Sequence, residues 1–244
     1  MVEQNRQAYT GSVREMLLYE MTKGHFAHSK RLPRESVLAE MLNISRTQLR
    51  DNLASLEREG FISRCHGVGT IINHHVLDVL VRMDIEIELM DMVRQSGYEP
   101  GLAFVKVRQE PCPHYVGKAL CLDEDTPVLR VSRLVTADGK AAVYCEDYIA
   151  LSDIEDSSYD RSIFEQPIFS FISRYCKKTL VMDVTELSAV AATAELAEIL
   201  QLEQGTPLLF MDEIDYEVSG HPVLYSRQYY VNGIIHHKVV RRRL

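Results

Sequence analysis

Arg46, Thr47 and Arg50 are the residues of this 244-residue chain whose types and spacing point most directly to chemistry. Two guanidinium forks one helical turn apart can bridge O6 and N7 of guanine or clamp a phosphate, and the threonine hydroxyl adds a further polar contact. They open a helix whose ends are both marked: Ser45 with Gln48 three residues on is a capping box, and Gly60 is a natural stop. Leu49, Leu53 and Leu56 recur at i, i+4 and i+7, giving a helix of about fourteen residues one apolar stripe and leaving both arginines off it. An amphipathic helix with solvated charges has the same pattern, so the flanking sequence has to decide between the two.

The flanks supply a scaffold. Ser12 and Glu15 form a second capping box, followed by Val13, Met16, Leu17 and Met21 at helical spacing and a stop at Gly24. Leu32-Pro33 leads into a helix over 34–41, with Val37, Leu38 and Met41 expected on its buried side. Residues 42–44 form the turn, where Asn43 is one of the few non-glycine residues that tolerates a left-handed conformation. Beyond Gly60, strand-like runs over 61–64 and 70–72 flank His66-Gly67-Val68-Gly69, a hairpin whose glycines let backbone approach a phosphate strand or a minor groove. Residues 1–75 therefore predict a winged helix-turn-helix that binds DNA, 76–84 a linker and 85–244 a second domain.

Composition agrees with a two-part chain. Hydrophobic residues make up 46% and charged residues 25%, as in ordinary globular proteins. No run of about eighteen apolar residues and no signal-peptide core occurs, so the expected compartment is the cytoplasm. Cys65, Cys112, Cys121, Cys145 and Cys176 are odd in number and form no Cys-x-x-Cys pair, so free thiols are expected. The net charge of −8 is uneven: residues 1–75 hold ten Lys+Arg against eight Asp+Glu, the remainder seventeen against twenty-seven.

The second part carries an internal duplication. Leu120-Cys-Leu122-Asp-Glu-Asp-Thr126-Pro127-Val128-Leu129 is echoed by Leu200-Gln-Leu202-Glu-Gln-Gly-Thr206-Pro207-Leu208-Leu209. After a one-residue insertion, Gly139, Val143-Tyr144 and Tyr148 are echoed by Gly220, Leu224-Tyr225 and Tyr229. Each copy reads as short helix, Thr-Pro turn, strand, glycine turn and strand. Helices are further expected from Ile85 to a stop at Gly97 and over 164–176, and a strand through Val105 and Val107, for an α+β domain with an antiparallel sheet flanked by helices.

The first 75 residues resemble the GntR family of bacterial transcriptional regulators. The likeness runs from Leu32-Pro33-Arg34-Glu35 through Leu38-Ala39-Glu40, Ile44-Ser45-Arg46-Thr47, Leu49-Arg50, Leu53, Leu56-Glu57 and Glu59-Gly60 to Gly67-Val68-Gly69-Thr70. The resemblance implies DNA contacts from Arg46, Thr47, Arg50, His66 and Gly67, beside Ser45 and Gly69. Where the family often has a DNA-touching arginine after the Leu-Pro-x-Glu motif, this chain has Ser36, which leaves Arg34 to supply part of that charge. Residues 85–240 resemble the UTRA domain of the HutC branch, with a chorismate-lyase-like fold, through Ser96-Gly97-Tyr98-Glu99-Pro100, Arg133, Ala137-Asp138-Gly139, Gly205-Thr206-Pro207-Leu208-Leu209 and Gly220-His221-Pro222-Val223. That likeness implies a small cytoplasmic effector and a homodimer on a roughly palindromic operator. Sugar-phosphate-binding relatives place further polar groups where Val135, Pro167, Cys145 and Leu224 stand, so a more apolar, less charged pocket is expected, anchored by Arg133 with Glu146, Tyr225 and Arg227 nearby.

Other signals weigh less. His74-His75 and His236-His237 are adjacent pairs, which point apart on a strand, and no recurring ligand spacing accompanies them, so neither metal nor cofactor is expected. Cys145 reads as a packed thiol, and Arg241-Arg242-Arg243 as a solvated end. Three function classes follow: a metabolite-responsive transcription factor, chosen here as a repressor; an enzyme using the lyase-like fold, for which no nucleophile or acid-base constellation is visible; and a DNA-binding module with a purely structural dimerisation domain.

Overall fold

The computed structural model describes residues 12–123 and 125–241, so Arg242 and Arg243 lie outside the described residues. The chain divides into two units, one running through Asp84 and regaining the segment from Lys238, the other spanning Ile85–His237.

In the first unit, α1 (Val13–Thr22) begins at Ser12 with its capping box in place, and Leu17 and Met21 are fully buried. α2 (Glu35–Leu42) ends at Asn43, whose φ of 53° turns the chain so that its N–H reaches the carbonyls of Ala39 and Glu40. α3 (Arg46–Arg58) follows Ser45, which accepts from the Gln48 N–H at 3.2 Å while the Gln48 side chain accepts from the Ser45 N–H. Leu49, Leu53 and Leu56 are buried as their spacing requires, and the Arg14–Glu59 pair ties α1 to the end of α3. Val37 and Met41, expected inside, are 46% and 52% exposed. On an eight-residue helix only the stripe through Leu38 faces the neighbouring helices, and two residues either side of it turn outward. The wing is β1 (Ile62–Cys65) against β2 (Gly69–Ile72), with Arg31 bridging Ile71 on the far side of β2.

A one-turn helix, α4 (His74–Leu77), leads into 78–84, and Val76, Val81 and Arg82 are buried in this unit. The Arg82 guanidinium lies 4.8 Å from the Phe61 ring centroid, and the Met83 N–H donates to the Lys238 carbonyl at 2.8 Å. The final described segment is therefore part of the first unit.

The second unit is a six-stranded antiparallel sheet. α5 (Leu89–Gln95) precedes β3 (Pro100–Pro111), α6 (His114–Leu120), β4 (Pro127–Ala137) and β5 (Lys140–Ala150). After α7 (Ile168–Phe171) come β6 (Leu180–Ala191), α8 (Ala194–Leu200), β7 (Pro207–Glu217) and β8 (Pro222–Val231). The spatial order β3-β4-β5-β8-β7-β6 places the two halves of the duplication back to back along β5 and β8. Each repeat also owns a leading strand, β3 or β6, so the repeating unit is strand, helix, hairpin. Equivalent helix ends are left-handed at Cys121 (φ 55°) and Gln201 (φ 56°), and the Asp138-Gly139 turn has both residues at positive φ, which a two-residue hairpin of type I′ demands.

Two helical expectations change. Residues 85–88 are not helical, because Glu88 caps α5 by accepting from the N–H groups of Met90 and Asp91. The helix expected over 164–176 is broken: a 3-10 turn, Arg161–Glu165, stops before Pro167, then α7 runs directly into a π turn over Ile172–Cys176.

At the end of this unit His237 meets the Tyr230 ring at 4.6 Å between centroids, with its Nε2 buried and unpartnered. Burial, then the neighbouring His236, lowers its pKa to about 4 from the ordinary 6.5. The unfolded chain takes up a proton first as pH falls, so the stability this residue contributes is lost between about pH 6.5 and 4. His237→Phe should make thermal stability less sensitive to pH across that window than in the wild type, as measured by melting temperatures at successive pH values.

Candidate functional site

The first unit presents one exposed polar surface. Arg34, Ser45, Arg46, Thr47 and Arg50 are all exposed, on the N-terminal turns of α2 and α3. Arg50 is held by Glu35, whose Oε2 accepts from Nε at 2.8 Å, so one edge of its guanidinium is fixed while 67% of the side chain remains exposed. Its pKa is raised by the hydrogen bond and charge of Glu35. In the wing, His66, Gly67, Val68 and Gly69 are exposed, and φ of 74° at Gly67 and 101° at Gly69 explains the glycines. Sequence reasoning missed Arg31, which donates to the Val68 carbonyl at 3.2 Å and braces the wing tip. Its signal was a Lys30-Arg31 pair before Leu32-Pro33, with no local pattern to mark it as a strand.

The second unit divides the four expected effector residues between the two faces of its sheet. Residues paired directly across strands share a face. Register puts Arg133, Cys145 and Gln228 in one row, Asp147, Ser226, Glu213 and Thr185 in the next, and Asp215 with Asp183 beyond. Glu146, Tyr225 and Arg227 lie on the opposite face, with Arg130, Ser132, Tyr144 and Tyr229. Arg133 is therefore separated from the other three.

On the Arg133 face, Asp147 is 1% exposed and accepts from Arg133 Nη2 at 2.8 Å, Ser226 Oγ at 2.6 Å and Cys145 Sγ at 3.2 Å. Burial penalises the Arg133 charge, but Asp147 more than offsets this and the guanidinium pKa is raised. Cys145, expected to be packed, is buried and its thiol pKa is pushed well up by burial and Asp147. The expected apolar, weakly charged surroundings are not found. Glu213 is pushed up to about 8 and Asp215 to about 9, first by burial and then by neighbouring carboxylates, and Glu86 to about 7 by burial and Asp183. Segment 161–176 covers the apolar end of this face through Ile163, Phe164, Ile168 and Phe171.

The opposite face is covered by α6 and α8, which pack Val116, Leu120, Ala197 and Leu200 against its tyrosines. Arg227 is boxed by the rings of Tyr115, Phe210 and Tyr229 at 4.8–5.7 Å. Arg130 pairs with Glu146, and a cleft of about 140 Å³ opens beside them, lined by Lys106, Arg108, Ser132 and Tyr144.

A capped helix with exposed arginines beside a glycine wing, joined to a duplicated sheet domain, defines a winged-helix DNA-binding regulator with a ligand-binding domain. The chain belongs to the gntR family of bacterial regulatory proteins: that family's model matches residues 10–72, and the UTRA domain model matches 95–233. It is 24% identical over 204 residues to the HTH-type transcriptional regulator GgaR of Escherichia coli K12, covering 83% of this chain and 79% of that protein. It is 23% identical over 218 residues to the HTH-type transcriptional repressor NagR of Bacillus subtilis, covering 89% and 88%. The crystal structure of the possible transcriptional regulator YydK from Bacillus subtilis has the same fold, with a TM-score of 0.74 at 21% identity over 94% of this chain and 99% of that one.

Breaking a buried ion pair leaves its partner's charge uncompensated, which typically costs about 3–5 kcal/mol. Arg133→Met should destabilise the second unit by that order in urea unfolding, and adding Asp147→Asn should recover much of the loss.

Proposed function

We propose that this chain is a metabolite-responsive transcriptional repressor that acts as a homodimer on a roughly palindromic operator in the cytoplasm. Each protomer lays α3 in a major groove, where Arg46, Thr47 and Arg50 meet base edges and phosphates, with Ser45 and Arg34 contacting the backbone. His66, Gly67 and Gly69 carry the wing against the adjoining strand. The observation that carries the reading is the Glu35–Arg50 contact: it engages Nε of an exposed guanidinium and leaves the edge formed by the two terminal nitrogens for a bidentate acceptor.

The effector belongs on the Arg133 face. Buried polar atoms in folded proteins are nearly all paired, and here Arg133 Nε is buried without a partner. Glu146, Tyr225 and Arg227 on the opposite face serve a structural role, since the aromatic box and Arg130 already occupy them. A ligand bridging strands of the duplicated sheet alters the distance between the two DNA-reading heads and so the operator affinity.

Arg50→Ala should weaken operator binding by about 1–3 kcal/mol and relax base preference at one position in each half-site, while Arg46→Ala at a phosphate should lower the salt dependence by about one ion. Gel shifts on the operator at two salt concentrations measure both. Unchanged affinity in the two variants would remove the recognition-helix assignment. If no cytoplasmic metabolite changes either melting temperature or operator affinity, the second domain is a structural dimerisation module instead.

A further inference from the structure

Glu86, Glu213 and Asp215 converge: each offers a carboxylate oxygen, and the three atoms lie within 4.8 Å of one another. Among the described residues, no lysine, arginine or histidine stands within ion-pairing distance of any of them. Asp215 is 1% exposed, and neither of its carboxylate oxygens has a hydrogen-bond partner. That is an independent sign of a ligand, because a buried carboxylate with nothing to offset its desolvation is a large cost in any fold. Asp147, two strand pairings away across β8 and equally buried, has three donors, so this fold does satisfy a buried carboxylate where it needs one for structure.

The surroundings hold the three carboxylates in place without neutralising them. Glu213 accepts from Gln228 Nε2 at 3.3 Å. Thr185 Oγ1 lies 3.1 Å from Glu213 Oε2 and 2.8 Å from Asp183 Oδ2, and its single proton serves only one of them. Asp183 adds a fourth negative group from β6, opposite Asp215 in register. Glu86, itself exposed, reaches the cluster from the half-buried segment before α5, which leaves one side of it open to entry from solvent.

We propose that Glu86, Glu213 and Asp215 form a binding site for a hard divalent cation of the Mg²⁺, Mn²⁺ or Ca²⁺ class. The donors are all oxygen, which suits those ions over zinc or copper. Oxygens on opposite sides of a cation held at 2.3–2.6 Å are about 4.6–5.2 Å apart, so the observed convergence needs little rearrangement to become a coordination sphere. Water completes the sphere on the Glu86 side. The ion binds directly to the ligand-binding domain, on the sheet face that carries Arg133 but three strands along from it, and adds a second input to that domain.

The test uses full-length protein stripped with chelator, titrated with Mn²⁺ at pH 8 and followed by the loss of the free-ion electron paramagnetic resonance signal. One saturable site per chain is expected, displaced by Mg²⁺ or Ca²⁺. Asp215→Asn and Glu213→Gln should each weaken it by well over the roughly tenfold that losing a supporting contact costs. Metal-free Asp215→Asn should melt no lower than the metal-free wild type, since a buried carboxyl crowded by Glu213 and Glu86 is gone, and should no longer respond to the ion. Glu86→Gln, at an exposed position, should fold normally by circular dichroism and weaken binding. It decides the matter if Asp215→Asn does not fold. Absence of saturable binding up to millimolar Mn²⁺, or equal binding in all variants, overturns the proposal. So does stabilisation by 1,4-diaminobutane but not by any metal, which would assign the cluster to an organic cation. No DNA is present in these measurements, so their failure leaves the regulator reading standing, and loss of operator recognition leaves the cation site standing.

Discussion

A buried carboxylate has to be matched by donors from whatever packs against it, and in this sheet Asp147 is matched from both halves of the duplication. Arg133 and Cys145 reach it from the first repeat and Ser226 from the second, directly opposite in register. The β5–β8 seam joins the repeats and would pair as well one residue out of step if hydrophobic burial were its sole constraint. Slipping by one residue would carry Ser226 to the other face and leave Asp147 short of a donor at a cost of roughly 1–3 kcal/mol. The Asp147 contacts therefore fix the register on which every residue of both faces depends.

The two faces are consequently unlike in charge. One holds Tyr144, Tyr148, Tyr225 and Tyr229 with Arg130 and Arg227, where cations rest on rings and carboxylates are paired. The other buries one matched pair, Arg133 and Asp147, and then a run of carboxylates, Glu86, Glu213 and Asp215, with no cation paired to them among the described residues. A protein interior does not tolerate the second arrangement cheaply, and sequence duplication does not produce it: eighty residues before Glu213 and Asp215 the first repeat has Arg133 and Val135. The acidic end is specific to the second repeat, as expected of a site grafted onto a symmetrical scaffold.

How much of this could be read in the sequence depends on how local the cause is. Ser45, Gln48, Asn43 and the Leu49, Leu53, Leu56 stripe act within a few residues of themselves, and the structure realises all of them. The duplication was legible because Thr-Pro and glycine turns repeat at fixed offsets, and the left-handed Cys121 and Gln201 are a consequence of it. The leading strands β3 and β6 were not tied to the repeats, since their sequences share none of those turn residues. The carboxylate cluster was invisible because Glu86, Glu213 and Asp215 come from a loop and a strand more than a hundred residues apart.

The separation of Arg133 from Glu146 shows the limit most clearly. The Asp138-Gly139 turn pairs Ala137 with Lys140, and a hairpin continued from there without interruption would set Arg133 opposite Tyr144, with Glu146 on its own face. Between Val135 and Thr136 the register shifts, and Ala142 is the extra residue, so Arg133 pairs with Cys145 instead. One inserted alanine thus moves Tyr144 and Glu146 to the far side of the sheet and brings Cys145 and Asp147 to the near side. The second repeat has the same irregularity between Asp215 and Tyr216, with Val223 as the extra residue, so the bulge belongs to the repeating unit and not to the one-residue offset between the copies. An extra residue in a strand does not lengthen the strand but exchanges its faces, and with them the charge that Arg133 meets.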